Sequence, residues 1–235
     1  QAIIDKLAVW MGDITEQSLV SHNSELIENL LATGTGGILL ISHLGNFEIT
    51  RCLSSRHKNL KLTVLMHTKH ASKFNDVLSQ HSEDSKVEIL EVTEINPATA
   101  MMMSERIERG EFIAIAGDRI PVTNKNDKGV LYADFLGSKT AFPTGAYILA
   151  SIFKAPILSI MCLQKNKKYH VYFDLLSAKV APNRKDRQQT FQQLTQDYAD
   201  LLQRHCLTAP LQWFNFFDFW AQTQSKQHQS QTDKD

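Results

Sequence analysis

Residues 38–48 read Ile38-Leu39-Leu40-Ile41-Ser42-His43-Leu44-Gly45-Asn46-Phe47-Glu48. Four apolar residues follow the breaking pair Gly36-Gly37. A short, wholly apolar run entered through glycine reads as a strand buried on both faces. The chain then turns polar at Ser42-His43, and the pattern predicts a helix that begins near residues 45–46 and continues past residue 51. In open α/β sheets the ligand crevice lies outside the carboxyl ends of the strands, so this reading delivers His43 to the functional edge. Glu48 falls in the first turn or so of the expected helix, from where a carboxylate reaches back to one imidazole nitrogen. Holding Nδ1–H would fix the tautomer, leave Nε2 as a base and stabilise the imidazolium. Gly45 would let the backbone approach a substrate closely, and the helix N-terminus would favour developing negative charge. The bland reading of the same residues is a locally packed histidine and an ordinary first-turn acid. Spacing alone does not separate the two.

Working outward, short apolar runs alternate with helical periodicity. Helices are predicted over residues 24–32, 72–80, 97–109, 142–153 and 188–204, with Pro97 in a first turn and Gly110 as a stop. Strands are predicted over 38–41, 62–65, 87–90, 112–116 and 130–135, and an antiparallel hairpin over 157–163 and 169–175. This alternation implies an α/β fold with a mostly parallel central sheet, helices on both faces and an antiparallel hairpin late in the chain. Residues 1–221 read as a single domain, and residues 222–235, rich in Gln, Ser and charge, as a disordered tail.

The chain has 235 residues, 43% of them hydrophobic, enough for a sizeable core. Its 25 Lys+Arg balance 25 Asp+Glu, which argues against general nucleic-acid binding. Cys52, Cys162 and Cys206 are far apart with no metal-ligand or redox spacing, so neither a disulfide framework nor a zinc site is expected, and Cys162 reads as a buried small hydrophobe. The most apolar stretch, residues 140–163, contains Lys154 and is punctuated by Pro143 and Pro156. It reads as a helix followed by a buried strand, not a membrane span.

Other candidates are weaker one by one. Gly117-Asp118-Arg119 follows the strand over 112–116 and would share the carboxyl edge with His43. Asp118 and Arg119 could orient substrate and present a guanidinium, or be a turn acid and a solvated arginine. Thr144 and Gly145, in Phe142-Pro143-Thr144-Gly145, could line a phosphate or carbonyl site with backbone N–H groups, or simply start a helix. Of Met101-Met102-Met103, one or two would be core and another could border an apolar groove. Lys165, Lys167 and Lys168, and then Arg184, Lys185 and Arg187, are basic clusters suited to an acidic carrier or anionic headgroups, or to plain solvation. The aromatic segment from Trp213 to Trp220 either packs on the core or touches a membrane interface. No serine elbow, zinc-protease helix or phosphate loop is present, and Gly34-Thr35-Gly36-Gly37 precedes its strand instead of following it.

Taken together, His43-Leu44-Gly45-Asn46-Phe47-Glu48, Gly117-Asp118-Arg119, and Phe135-Leu136-Gly137 leading to Phe142-Pro143-Thr144-Gly145 resemble the bacterial lipid A biosynthesis acyltransferase family. That family belongs to the wider lysophospholipid acyltransferase superfamily. The order and spacing of the three blocks are more specific than any one of them, and the resemblance covers roughly residues 7–220. The chain looks most like the stand-alone or fused acyltransferases found beside fatty-acid and aryl-polyene synthesis genes.

The resemblance implies acyl transfer from an acyl carrier protein thioester, or from acyl-CoA, to a hydroxyl of a lipid or glycolipid, with no metal, no cofactor and no covalent acyl-enzyme. It makes His43 the general base and Glu48 its orienting acid. Substrate contacts then fall to Gly45, Asn46, Asp118, Arg119, Thr144 and Gly145. It also implies peripheral membrane contact at the cytoplasmic face of the bacterial inner membrane, with an anchoring segment before Gln1. Glycerol-phosphate acyltransferases of the superfamily carry Glu and Arg where this chain has Thr144 and Tyr147, so glycerol 3-phosphate is not the expected acceptor. The alternatives are a non-catalytic lipid- or carrier-binding module and a thioesterase on the same fold.

Overall fold

Ile38 to Ile41 are buried to within 7% of full coverage, and they alternate in direction. Ile38 and Leu40 enter one core cluster, and Leu39 and Ile41 the other. A strand whose two faces are both apolar must sit inside a sheet covered on both sides. In the computed structural model, which describes residues 18–46, 60–66, 87–91, 97–120, 129–216 and 218–220, it does.

The elements are β1 (Leu19–His22), α1 (Glu25–Ala32), β2 (Gly37–Ile41), β3 (Leu62–Met66), β4 (Val87–Glu91), α2 (Pro97–Glu108), β5 (Phe112–Ala116), β6 (Val130–Phe135), β7 (Ser138–Pro143), α3 (Gly145–Phe153), β8 (Ile157–Lys165), β9 (Lys168–Ser177) and α4 (Arg187–Thr208). A 3-10 turn, Pro210–Gln212, follows. Seven strands form one sheet in the order β1-β9-β8-β2-β5-β3-β4. Every neighbouring pair is parallel except the β8–β9 hairpin. Residues of α2, α3 and α4, together with β6 and β7, pack in the cluster on one face, and Ile27 of α1 packs in the other. The expected α/β architecture is therefore present.

β5 lies between β2 and β3 although it follows both in sequence. The chain leaving β2 goes on to β3 on one side, while the chain leaving β5 goes on to β8 on the other. This reversal opens a crevice between adjacent strand ends, the usual place for a ligand in such sheets. The β2–β5 register pairs Ile41 with Ala116. Residues two steps beyond each, His43 and Asp118, therefore leave the sheet side by side.

Two elements differ from the sequence-based expectation. Phe142 and Pro143 do not open a helix but complete β7, which pairs antiparallel with β6 from Ser138↔Phe135 to Pro143↔Val130. The helix starts three residues later at Gly145. Leu136 and Gly137 both take positive φ, 50° and 84°, which gives the two-residue hairpin turn that fixes this pairing. β1 was not expected at all. Its four residues carry too little pattern, and pairing with β9 (Leu19↔Tyr169 onward) makes them a strand. The helix expected to begin near residues 45–46 does not begin there, because Gly45 takes φ +74° and bridges Cys162, and the Asn46 amide bonds to the Cys162 carbonyl. The rest of that span, the helix expected over 72–80 and the tail over 222–235 lie outside the described residues. No helix among the described residues is long and apolar enough to cross a membrane. Within the apolar stretch 140–163, α3 gives way to β8 as read from sequence. Met103 is fully buried whereas Met101 is 67% exposed.

Phe142 is fully buried and meets Phe135, Tyr198 and Phe219 edge-on at centroid distances of 5.7, 6.2 and 6.1 Å. It joins the small hairpin to α4 and to the end of the chain. Phe142→Ala is expected to lower the unfolding free energy by about 3–5 kcal/mol, measured by denaturant titration. A loss below about 1 kcal/mol would mean the hairpin is not integral to this core.

Candidate active site

Asp118 is 1% exposed, and a carboxylate so placed must be met by donors. Three N–H groups meet it. Its Oδ1 lies 2.8 Å from His43 Nδ1. Its Oδ2 accepts the His43 backbone N–H at 2.8 Å and the Trp213 indole N–H at 3.3 Å. An ionised carboxylate only accepts, so Nδ1 carries the proton and Nε2 is the basic nitrogen. Among the described residues Nε2 has no hydrogen-bond partner, and the His43 side chain is 33% exposed. The result is an imidazole gripped at one nitrogen on a side chain that is one third exposed.

The backbone around the ring is equally constrained. Gly117 N–H donates to Ile41 C=O at 2.9 Å, and the Tyr198 hydroxyl donates to the same oxygen at 3.0 Å. A Cβ on Gly117 would sit 2.7 Å from Leu40 Cδ2 and 2.8 Å from the Tyr198 ring, so α4 can close on this turn only over glycine. At Gly45, φ is +74° and a Cβ would lie 1.6 Å from the Cys162 carbonyl oxygen. The close approach that this glycine permits in the structure is thus to β8 of the protein itself.

The Gly45 amide donates to Gln212 C=O at 2.8 Å and the Asn46 amide to Cys162 C=O at 3.0 Å. Neither amide is therefore presented to a developing oxyanion. Both residues do line a small cleft, with Gln164, Tyr169, Leu211, Gln212 and Phe214.

The segment after α4 forms the other wall. Phe214 N–H donates to His43 C=O at 3.0 Å, and Leu44 bridges Trp213 in antiparallel fashion. Arg119 Nη2 donates to Asn215 Oδ1 at 2.8 Å and to Phe214 C=O at 3.3 Å. Its guanidinium braces residues 214–215 across the site. Thr144 and Gly145 stand apart. The Thr144 amide donates to Gly129 C=O at 2.8 Å, and no hydrogen bond links either residue to His43 or Asp118. Glu48 lies outside the described residues.

Sequence reasoning missed Trp213, Gln212 and Asn215 as site residues. The dense aromatic cluster was their one visible signal, and only its packing divides it. Trp213 and Phe219 turn inward, 4.9 Å apart, and Trp213 meets Phe135 at 5.2 Å, whereas Phe216 is 89% exposed. No group of three or more potential metal ligands occurs among the described residues.

The profile of the bacterial lipid A biosynthesis acyltransferases matches residues 4–222. The chain belongs to this family. No curated protein matches it. The family is one of acyltransferases of lipid biosynthesis, and the paired His43 and Asp118 of this acyltransferase lie within the matched residues.

The tautomer is open to direct test. Nitrogen-15 NMR of the neutral ring is expected to show His43 Nδ1 protonated and Nε2 bare, and Asp118→Asn to reverse this. The asparagine oxygen would keep the His43 and Trp213 N–H groups and turn its own NH₂ toward Nδ1, which must then accept. Unchanged nitrogen shifts in Asp118→Asn would refute the assignment. Cys206 offers a second test. Burial first, and then the negative charge of Asp118, pushes its thiol up to about 12. Since the thiolate is the reactive form, Cys206 should resist alkylation at pH 8 in the native protein and react once denaturant is added, as followed by mass spectrometry.

Proposed function

We propose that the chain moves a fatty acyl group from an acyl carrier protein thioester, or from acyl-CoA, to a hydroxyl of a lipid or glycolipid at the cytoplasmic face of the bacterial inner membrane. His43 is the general base in this reading. The observation that carries it is the grip of the Asp118 carboxylate on Nδ1, which leaves Nε2 as the acceptor on a side chain that is one third exposed.

The acceptor hydroxyl gives its proton to Nε2 as its oxygen attacks the thioester carbonyl. The imidazolium so formed carries its extra proton on Nε2, and the Asp118 carboxylate, met by three N–H donors, stabilises it. Collapse of the tetrahedral intermediate breaks the carbon–sulfur bond, and Nε2–H protonates the departing thiolate. The ring returns to its starting tautomer. No acyl-enzyme forms, because the base serves the acceptor directly and no side-chain nucleophile is needed.

We assign the orienting role to Asp118 because its carboxylate lies at hydrogen-bond distance from the ring. Glu48, the orienting acid that the resemblance implies, lies outside the described residues, and Asn46, Gly45 and Arg119 support the walls of the cleft.

Incubation with radiolabelled acyl carrier protein and a membrane lipid extract should yield labelled lipid. His43→Ala is expected to abolish this product while the fold persists, and Asp118→Asn to lower kcat/KM by roughly 10³- to 10⁴-fold through the wrong tautomer. If Glu48 fixed the ring instead, Glu48→Gln alone would reproduce the His43→Ala loss and Asp118→Asn would leave the rate intact. Turnover in a well-folded His43→Ala protein would overturn the proposal. Free fatty acid released as fast without acceptor as with it would make the chain a thioesterase.

A further inference from the structure

Two stretches meet at the mouth of the cleft, and neither contains an acid. Residues 157–173 carry Lys165, Lys167 and Lys168 and no Asp or Glu; residues 201–216 carry Arg204 and no Asp or Glu. The Gln212 side chain ties them together. Its Oε1 accepts the Gln164 N–H at 2.8 Å, and its Nε2 donates to the Gln164 C=O at 2.7 Å. The backbone of Gln164, one residue before the β8–β9 tip, is thereby fixed against the residue that follows Leu211. At that tip Asn166 and Lys167 take positive φ, 52° and 61°, and Lys165, Lys167 and Lys168 are all exposed.

Beside these cations stand two large apolar side chains with almost no cover. Leu211 is 93% exposed and lines the cleft; Phe216 is 89% exposed, its ring 6.2 Å from that of Phe214, which lines the cleft as well. Single exposed apolar residues are ordinary on protein surfaces. A leucine and a phenylalanine at one mouth, flanked by three lysines with the exposed Asp218 as the nearest acid in sequence to Phe216, form a different pattern. Apolar groups that enter the headgroup–acyl boundary, with cations left for anionic headgroups, are the composition of an interfacial lipid-binding surface. An acidic protein partner would engage the lysines and leave Leu211 and Phe216 without a role.

We infer that Leu211 and Phe216, flanked by Lys165, Lys167 and Lys168, seat the mouth of the cleft on an anionic lipid bilayer. This brings the bilayer to the segment whose backbone bonds to residues 43 and 45, and its use in presenting an acceptor lipid rests on the acyl-transfer reading. The seating itself does not require it.

The test is co-sedimentation of the full 235-residue chain with vesicles of phosphatidylcholine alone or mixed with phosphatidylglycerol. Binding is expected to the mixed vesicles, weakening as salt rises. Leu211→Asp and Phe216→Asp should each weaken it roughly tenfold, and each lysine changed to Gln about fivefold. Circular dichroism checks the fold, which side chains so exposed do not support. His43→Ala should bind as the unaltered protein does. Aspartate variants that bind like the unaltered chain overturn the inference. So does binding lost only in the lysine variants, in parallel with loss of acyl carrier protein capture, because that places the carrier at this surface. Vesicle binding without any acyl transfer leaves the seating in place and removes the acyl-transfer reading instead.

Discussion

A carboxylate with no access to water must be satisfied by the protein, and the way Asp118 is satisfied organises the region around it. Two of its donors come from one residue, the backbone N–H and the Nδ1–H of His43. The third is the indole N–H of Trp213, ninety-five residues away in the chain. Removing any of the three would leave buried negative charge short of a donor, which costs more than an ordinary hydrogen bond contributes. The arrangement therefore holds together as a unit, and the ring has one orientation because the charge beneath it has one solution.

That solution depends on backbone contacts with no room for a side chain. Gly117 lies against Leu40 and the Tyr198 ring, and Gly45 lies against the Cys162 carbonyl. Between them they bring α4 and β8 up to the two strand ends that carry Asp118 and His43. The Tyr198 hydroxyl shares the Ile41 carbonyl with the Gly117 amide, so the long helix is bonded to the turn it covers. A base prepared for proton transfer needs this kind of support, since an imidazole free to rotate loses the fixed geometry that gives it value.

The segment after α4 couples the chemistry to the surface. Its backbone pairs with residues 43–45, Trp213 reaches down to Asp118, and Arg119 ties Asn215 across the site. The same few residues then present Leu211 and Phe216 to the outside. The exposed apolar pair and the brace on the base thus belong to one short piece of chain.

The sequence by itself determined the elements and the chemistry at their ends. The run from Ile38 to Ile41 is a buried strand because it is apolar on both faces, and Phe112 to Ala116 is another for the same reason. Both end in polar residues, so His43 and Asp118 were legible as candidates from local pattern alone. What local pattern could not contain was adjacency. The separate strand readings did not say that β5 inserts between β2 and β3, or that Ile41 pairs with Ala116, yet that register puts the carboxylate under the imidazole. The partner suggested by spacing was Glu48, which lies outside the described residues; Asp118 on the neighbouring strand could not be paired with His43 from spacing. Arg119, Gly45 and the aromatic segment were noticed for their residue types, but their tasks depend on Asn215, Cys162 and Asp118, which only the folded chain brings within reach.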